Sequence, residues 1–320
     1  MAKTTDTAKA TRRPAPRLRP APAHWWALLG AIFVIFQAWV YGRWLLGGGP
    51  GSITWQRPAA LPTATAVTVR VGEAVVVLGF LTCVGIAVRE GLRHRRLGFD
   101  GAVLIGWTMC LWQDALCDPT VSFNVYDLHL KSWGPYIPGF SGTGTEETLT
   151  LIVPGGTGYP VMMLTVVMTD QAVRALTRNR PGWGLLPRYL VAATAGTLIQ
   201  GCIEVTYILA GTYSYSSYSP LARTLALGSG HWYQLCLVEV LVVGAVCTAP
   251  FAVMRHTWRN GGTPVIFRGA DTLPARDGSV LRALAAIGAL NAGLLVYMFV
   301  IAVVLNDPGN VVSDLPAYFR

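Results

Sequence analysis

Charge is scarce in this chain: 13% of its 320 residues are charged, 52% are apolar, and mean hydropathy is +0.45. A water-soluble domain of this length would lack the polar surface to stay dissolved, so the chain reads as a membrane protein. Lysine occurs only at Lys3, Lys9 and Lys131, which leaves no span with a Schiff-base lysine for retinal. No nucleophile elbow, P-loop, HExxH or CxxC occurs. The six cysteines (Cys83, Cys110, Cys117, Cys202, Cys236, Cys247) all fall in apolar runs, outside the loops where a disulfide framework would be useful, and read as packing residues. The five histidines show no HxxxH spacing, so zinc is disfavoured and no cofactor is expected.

What is abundant is long apolar stretches. Windows of about 20 apolar residues, enough to cross a bilayer core at about 1.5 Å per residue, can be placed seven times. They cover roughly 25–46, 68–88, 99–117, 150–172, 186–210, 230–254 and 281–305. The expectation is an all-α, polytopic membrane bundle of seven transmembrane helices. The fourth is the weakest: Pro154, Gly155, Gly156, Gly158 and Pro160 predict a broken or partly re-entrant helix.

Net charge is +9, and its placement matters more than its sum. Nineteen of the 25 Lys and Arg residues fall in segments 1–24, 89–98, 173–188 and 255–282; six fall in the complementary segments. The positive-inside rule then predicts a cytoplasmic N-terminus and an outer C-terminus, and the basic excess needs no nucleic acid. Residues 1–23, with four prolines and six basic residues, read as a disordered cytoplasmic tail that lies on anionic lipid; 24–306 read as the transmembrane domain and 307–320 as an extracytoplasmic tail. No internal repeat is evident.

Ionisable groups inside spans cost about 2.5–3.5 kcal/mol on insertion scales and by default face a cavity or a partner. Four stand out: Glu73, Asp114, Glu204 and Glu239. Threaded through the topology, all four fall in the outer half of the bilayer, from four different helices, and one shared cavity is the simplest reading. Helical spacing places Gln200 and Glu204 with Tyr207, Trp232 and Cys236 with Glu239, and Trp107 and Cys110 with Asp114 and Asp118. Arg43, Arg70 and Arg223 sit at the outer boundary and reach only the shallower acids. A carboxyl buried without a cation favours its neutral form, which is a proton donor. The plainer alternative is that these acids pair with Gln113, Gln200, Gln234 or Asn291 to hold helices together. His129, His231 and Trp232 lie on the same side, with aromatics of the 124–147 and 211–220 segments as a lid or as interfacial anchors.

Asp114 and Asp118 have the DxxxD spacing of a magnesium-diphosphate site, but a second acidic motif is missing and this one points outward. A dry set of carboxyls, amides and aromatics suits acid-catalysed cyclisation of a lipophilic substrate through a cationic intermediate. The opening AHWWALLGAIFVIFQAWVYGRW, the LWQD stretch with its acidic aromatic loop, and the seven-span plan over about 25–305 resemble the AveC-type spirocyclase family of macrolide pathways. That resemblance implies closure of a dihydroxy-ketone polyketide into a spiroketal, sometimes with a dehydration step. The sequence itself suggests Asp114 or Glu204 as the acid, Glu239 as the ion stabiliser or base, and Glu73, Asn124 and Gln200 as positioners, with Gln113, Asp118, Tyr207, His129, His231 and Trp232 against substrate. Two other classes fit the same composition: an exporter of a small lipophile using the acids as a proton relay, and a membrane sensor or scaffold.

Overall fold

A computed structural model of the chain describes residues 21–47, 61–113, 124–126, 155–180, 182–215, 217–307 and 311–319. The described residues are mostly helical. Helix α1 spans Pro22–Leu46, α2 Thr63–His94, α3 Phe99–Thr108, α4 Gly155–Thr177 and α5 Leu185–Leu209. A five-residue helix α6, Pro220–Thr224, precedes α7 at Leu237–Arg259 and α8 at Ala275–Leu305.

Five of these, α1, α2, α5, α7 and α8, are long and apolar enough to cross a membrane. The other two expected spans differ in form. The third is a ten-residue helix followed by turns at 109–111, and the rest of that expected span, from 114 on, lies outside the described residues. The fourth is not broken where it is described: α4 runs unbroken through Pro160. Pro160 is only the sixth residue of α4, where its missing N–H costs at most one early hydrogen bond and the glycines before it have no side chains to crowd its ring.

The sixth span is corrected at its start. Residues 226–236 are not helical: β3 (Ala226–Leu227) and β4 (Leu235–Cys236) pair as a short antiparallel hairpin, so Trp232 and Cys236 do not share a helical face with Glu239. Gly228 and Gly230, both at positive φ, make the turn. A second short ladder pairs β1 (Asn124–Tyr126) with β2 (Tyr213–Tyr215), with Asn124 opposite Tyr215. These ladders and the 311–319 segment cap one end of the bundle. The connections rich in arginine lie at the other.

Two helix devices set the packing. Helices α1 and α8 meet glycine on glycine: a Cβ on Gly30 would overlap the Leu284 carbonyl, and one on Gly288 the Trp26 carbonyl. In α7, Pro250 cannot donate to the preceding turn, and a π-turn occupies Val243–Thr248 just before it, where Ala249 N–H reaches back to the Gly244 carbonyl. Tyr189 on α5 donates to the Ala245 carbonyl within that turn at 2.9 Å. The main core buries Phe99, Trp107, Met163, Phe251, Phe267 and Leu290. A second core, with Tyr213, Tyr215, Tyr218, Leu235 and Leu305, lies under the hairpin cap.

Substituting Gly288 by Val forces α1 and α8 apart. Overpacking of this kind costs about 1–3 kcal/mol or more, so the thermal midpoint in detergent is expected to fall by several degrees, with Gly42→Val, which meets open space, as a neutral control.

Candidate functional site

The capped end holds two buried carboxyls side by side. Glu204 of α5 is 8% exposed and Glu239 of α7 is 1% exposed. Glu204 accepts at both oxygens: Gln200 Nε2 donates to Oε1 at 2.6 Å and the Tyr215 hydroxyl to Oε2 at 3.0 Å. Glu239 accepts from the Tyr297 hydroxyl of α8 at Oε1, 2.9 Å, and its Oε2 is buried without a hydrogen bond among the described residues. Tyr215 also faces Glu239. The groups that bear on the two carboxyls are each other, Tyr215, Tyr297 and Gln200; among the described residues no Lys or Arg pairs with either. Burial first, then the Glu204 and Glu239 carboxylates beside it, push the Tyr215 phenol well above its usual range, so it stays a donor.

Tyr215 is held from several sides. Gln234, fully buried, donates to the Tyr215 carbonyl at 2.7 Å and accepts from Gly230 N–H at 3.0 Å. The rings of Tyr213 and Tyr218 pack on it at 5.6 and 5.9 Å between centroids, and Tyr207 stacks on Tyr213 at 6.1 Å. The hairpin is gripped in turn by the C-terminal segment: Asp314 accepts from Trp232 N–H and pairs with His231 Nδ1, both at 2.9 Å.

The other residues suggested by sequence distribute as follows. Glu73 pairs with Arg70 on its own helix, 2.5 Å away, rather than with the deeper acids. Gln113 donates to Asn291 Oδ1 at 2.9 Å, beside Trp112, which donates to the same oxygen. Asn124 is placed by its strand opposite Tyr215. His231 is exposed and stacks on Tyr233. Asp114, Asp118 and His129 lie outside the described residues.

Sequence reasoning missed a second ionisable cluster at the arginine-rich end. Arg255 of α7 forks onto Asp100 of α3, with Nε and Nη2 at 2.7 and 2.8 Å from the two oxygens, and its Nη1 reaches Asp170 of α4 at 2.6 Å. His256 Nδ1 is 3.4 Å from Asp170, and Arg259 3.6 Å. Glu90 of α2 accepts from the Phe99 and Asp100 amides, capping α3, and from Trp258 Nε1 at 2.8 Å. The signal was available: Asp170 lies inside the expected fourth span, and an acid there needs a partner. Asp100 and Asp170 are thus met by arginine, while Glu90 is met by amides and an indole, an arrangement that suits a structural lock. Among the described residues no group of three or more His, Cys, Asp or Glu side chains is placed to hold a metal ion.

A family model described as "Spirocyclase AveC-like" matches residues 94–319, more than half of the chain. The match takes in both carboxyl clusters except Glu90, and omits α1 and nearly all of α2. No curated protein and no solved structure matches.

Two outcomes follow from the ion pairs. Arg255→Met removes the fork from Asp100 and leaves Asp170 only the longer Arg259 and His256 contacts, and is expected to cost about 3–5 kcal/mol, read as a drop in thermal midpoint; adding Asp100→Asn and Asp170→Asn should recover most of it. Burial favours a protonated Asp314, but the hydrogen bonds from His231 and the Trp232 amide outweigh it and hold the carboxyl below the usual aspartate range. A carboxyl lowered by folding contributes its stability above the unfolded value and loses it as pH falls through the folded one. The Asp314 clamp is therefore expected to hold at neutral pH and to open in acid, detectable as protease cleavage within 311–319, and His231→Ala should move that opening to higher pH.

Proposed function

We propose that this chain, which belongs to the AveC-like spirocyclase family, is a membrane-embedded cyclase that closes a dihydroxy-ketone polyketide of macrolide type into a spiroketal by acid catalysis, using Glu239 and Glu204. The observation that carries the reading is the hydrogen bonding of that pair. Both Glu204 oxygens act as acceptors, which suits a carboxylate. Among the described residues Glu239 keeps one oxygen without a hydrogen bond, which suits a carboxyl that presents its proton to substrate. Two ionised carboxylates side by side in a dry site would repel each other, so one of the two retains its proton.

The reaction then runs in balanced steps. One substrate hydroxyl adds to the ketone to give a hemiketal. Glu239 protonates the hemiketal hydroxyl, which departs as water and leaves an oxocarbenium ion. The second hydroxyl closes the other ring, and Glu204 takes its proton. Proton return from Glu204 to Glu239 through the Tyr215 hydroxyl restores the pair, and the net change is loss of one water. The Tyr213, Tyr215 and Tyr218 rings supply faces for the cation, and the rigid chiral frame fixes which face is attacked. Asp114 is the alternative acid of this reading, Glu73, Asn124 and Gln200 are its positioners, and Gln113, Asp118, Tyr207, His129, His231 and Trp232 are proposed to meet substrate.

The chain is proposed to sit in the bilayer with seven spans, N-terminus cytoplasmic and C-terminus outside, the 1–23 tail on the lipid surface and substrate entering laterally from lipid. No metal, nucleic acid or cofactor enters the mechanism. A dehydration step after ring closure would use the same acid pair.

General acid catalysis contributes about 10²–10⁴-fold, so Glu239→Gln is expected to lower spiroketal formation by that order in membranes supplied with a dihydroxy-ketone macrolide precursor. Glu204→Gln should act similarly, and both should let the stereoisomer ratio drift to that of the uncatalysed closure while the protein still inserts. Retention of rate and ratio in both variants would remove the assignment.

A further inference from the structure

We infer that Asp314, outside the acid pair and near the end of the chain, is a positioning residue that sets the Tyr215 hydroxyl against Glu204 and Glu239, and so governs the stereochemical outcome. The inference rests on the cyclase reading above and adds to it a residue that touches neither substrate nor carboxyl.

The route is a series of direct contacts. Asp314 Oδ1 accepts from Trp232 N–H and Oδ2 holds His231 Nδ1, both at 2.9 Å, so a single carboxylate fixes two successive residues of the β3–β4 turn. The Trp232 carbonyl accepts from the Ser214 hydroxyl at 2.5 Å. Two residues further on, Gln234 donates to the Tyr215 carbonyl. The turn thus grips β2 at two adjacent positions, and the phenol of Tyr215 is delivered to Glu204. The same C-terminal segment bridges just past β2, Val311 to Ser217, and its Phe319 packs on Trp232 of the turn at 6.3 Å.

This arrangement matters because Tyr215 belongs to a strand of three residues, while both carboxyls are on long helices. A two-stranded ladder is marginal without external support. Misplacement of a catalytic contact by about 1 Å can cost about 100-fold even when the change is far from the chemistry. Fixing the phenol from outside by a carboxylate is therefore a means of aiming the proton-transfer group without placing a charge beside it.

The test is a double-mutant cycle. Asp314→Asn in the full-length protein is expected to lower kcat by about 10- to 100-fold, to leave KM nearly unchanged and to shift the stereoisomer ratio. In a Tyr215→Phe background, with no hydroxyl left to aim, the same substitution should change kcat less than about twofold, which is the non-additivity expected of coupled residues. A readout without substrate accompanies it: fluorotyrosine at position 215 should show a shifted fluorine resonance in Asp314→Asn. An equal loss in both backgrounds, an unchanged stereoisomer ratio or an unmoved resonance each overturns the inference, since a merely structural clamp would lower the thermal midpoint without these effects. Glu239→Gln serves as the control: if it abolishes stereocontrol while Asp314→Asn does not, only this inference fails, whereas if both are inert the cyclase reading fails and takes the inference with it.

Discussion

An ionisable group taken out of water must be matched, and in a chain with so few charges the manner of matching separates structural groups from reactive ones. At the arginine-rich end, Asp100 and Asp170 are met by the Arg255 guanidinium, whose fork satisfies both Asp100 oxygens at once. A cation at contact distance meets the carboxyls with charge and hydrogen bonds at once. At the capped end, Glu204 and Glu239 receive, among the described residues, only an amide and two phenols. Such donors satisfy an oxygen without supplying a counter-charge, which in the proposed mechanism leaves one proton for the pair to share. The two clusters both use carboxyl side chains but differ in partner, a guanidinium in one and an amide with phenols in the other.

The Glu204 and Glu239 pair also explains why the capped end is built from tyrosine. Each ring there has an apolar body and a polar tip. The bodies of Tyr213, Tyr215 and Tyr218 make the small core under the hairpin, while two of the tips are spent on fixed partners: Tyr215 on Glu204, and Tyr218 on the Cys236 amide at the start of α7. A phenylalanine core would pack as well but leave Glu204 short of a donor and the first turn of α7 uncapped. Packing and chemistry are thus carried by the same side chains, which ties the stability of the cap to the state of the acid pair.

How much of this was legible depended on whether the signal was local. The long apolar runs of α1, α2, α5, α7 and α8 were plain, because a span is defined by its own composition. Gln200 and Glu204 could be paired from spacing alone, being one turn apart. Tyr297 could not: it is the only polar tip on its stretch of α8, and nothing in the sequence ties position 297 to position 239. The hairpin at 226–236 was masked by its own hydrophobicity, since residues such as Leu235 and Cys236 extend the apolar run of α7 and only Gly228 and Gly230 hint at a turn. Glu73 is the shallow acid that a boundary arginine reaches: Arg70, three residues earlier on the same helix, pairs with it. Asp100 and Arg255 were overlooked because each stands at the border of a basic connection, where charge looks ordinary.

One helix joins the two clusters, and its irregularity is what allows it. Glu239 and Arg255 are both on α7, 255 − 239 = 16 residues apart, and both are buried. At about 100° per residue an unbroken α-helix would turn them through about 1,600°, leaving them about 160° apart on nearly opposite faces, with one of them toward lipid. The π-turn at Val243–Thr248 accommodates about one extra residue in its turn and takes back about 100°, bringing the two to within about 60°. Pro250 supplies the local cause, and the Tyr189 hydroxyl on the Ala245 carbonyl meets the polar cost of the widened backbone. A proline that would ordinarily count against a membrane helix is here the reason that a single helix can present an arginine to one buried site and a carboxyl to the other.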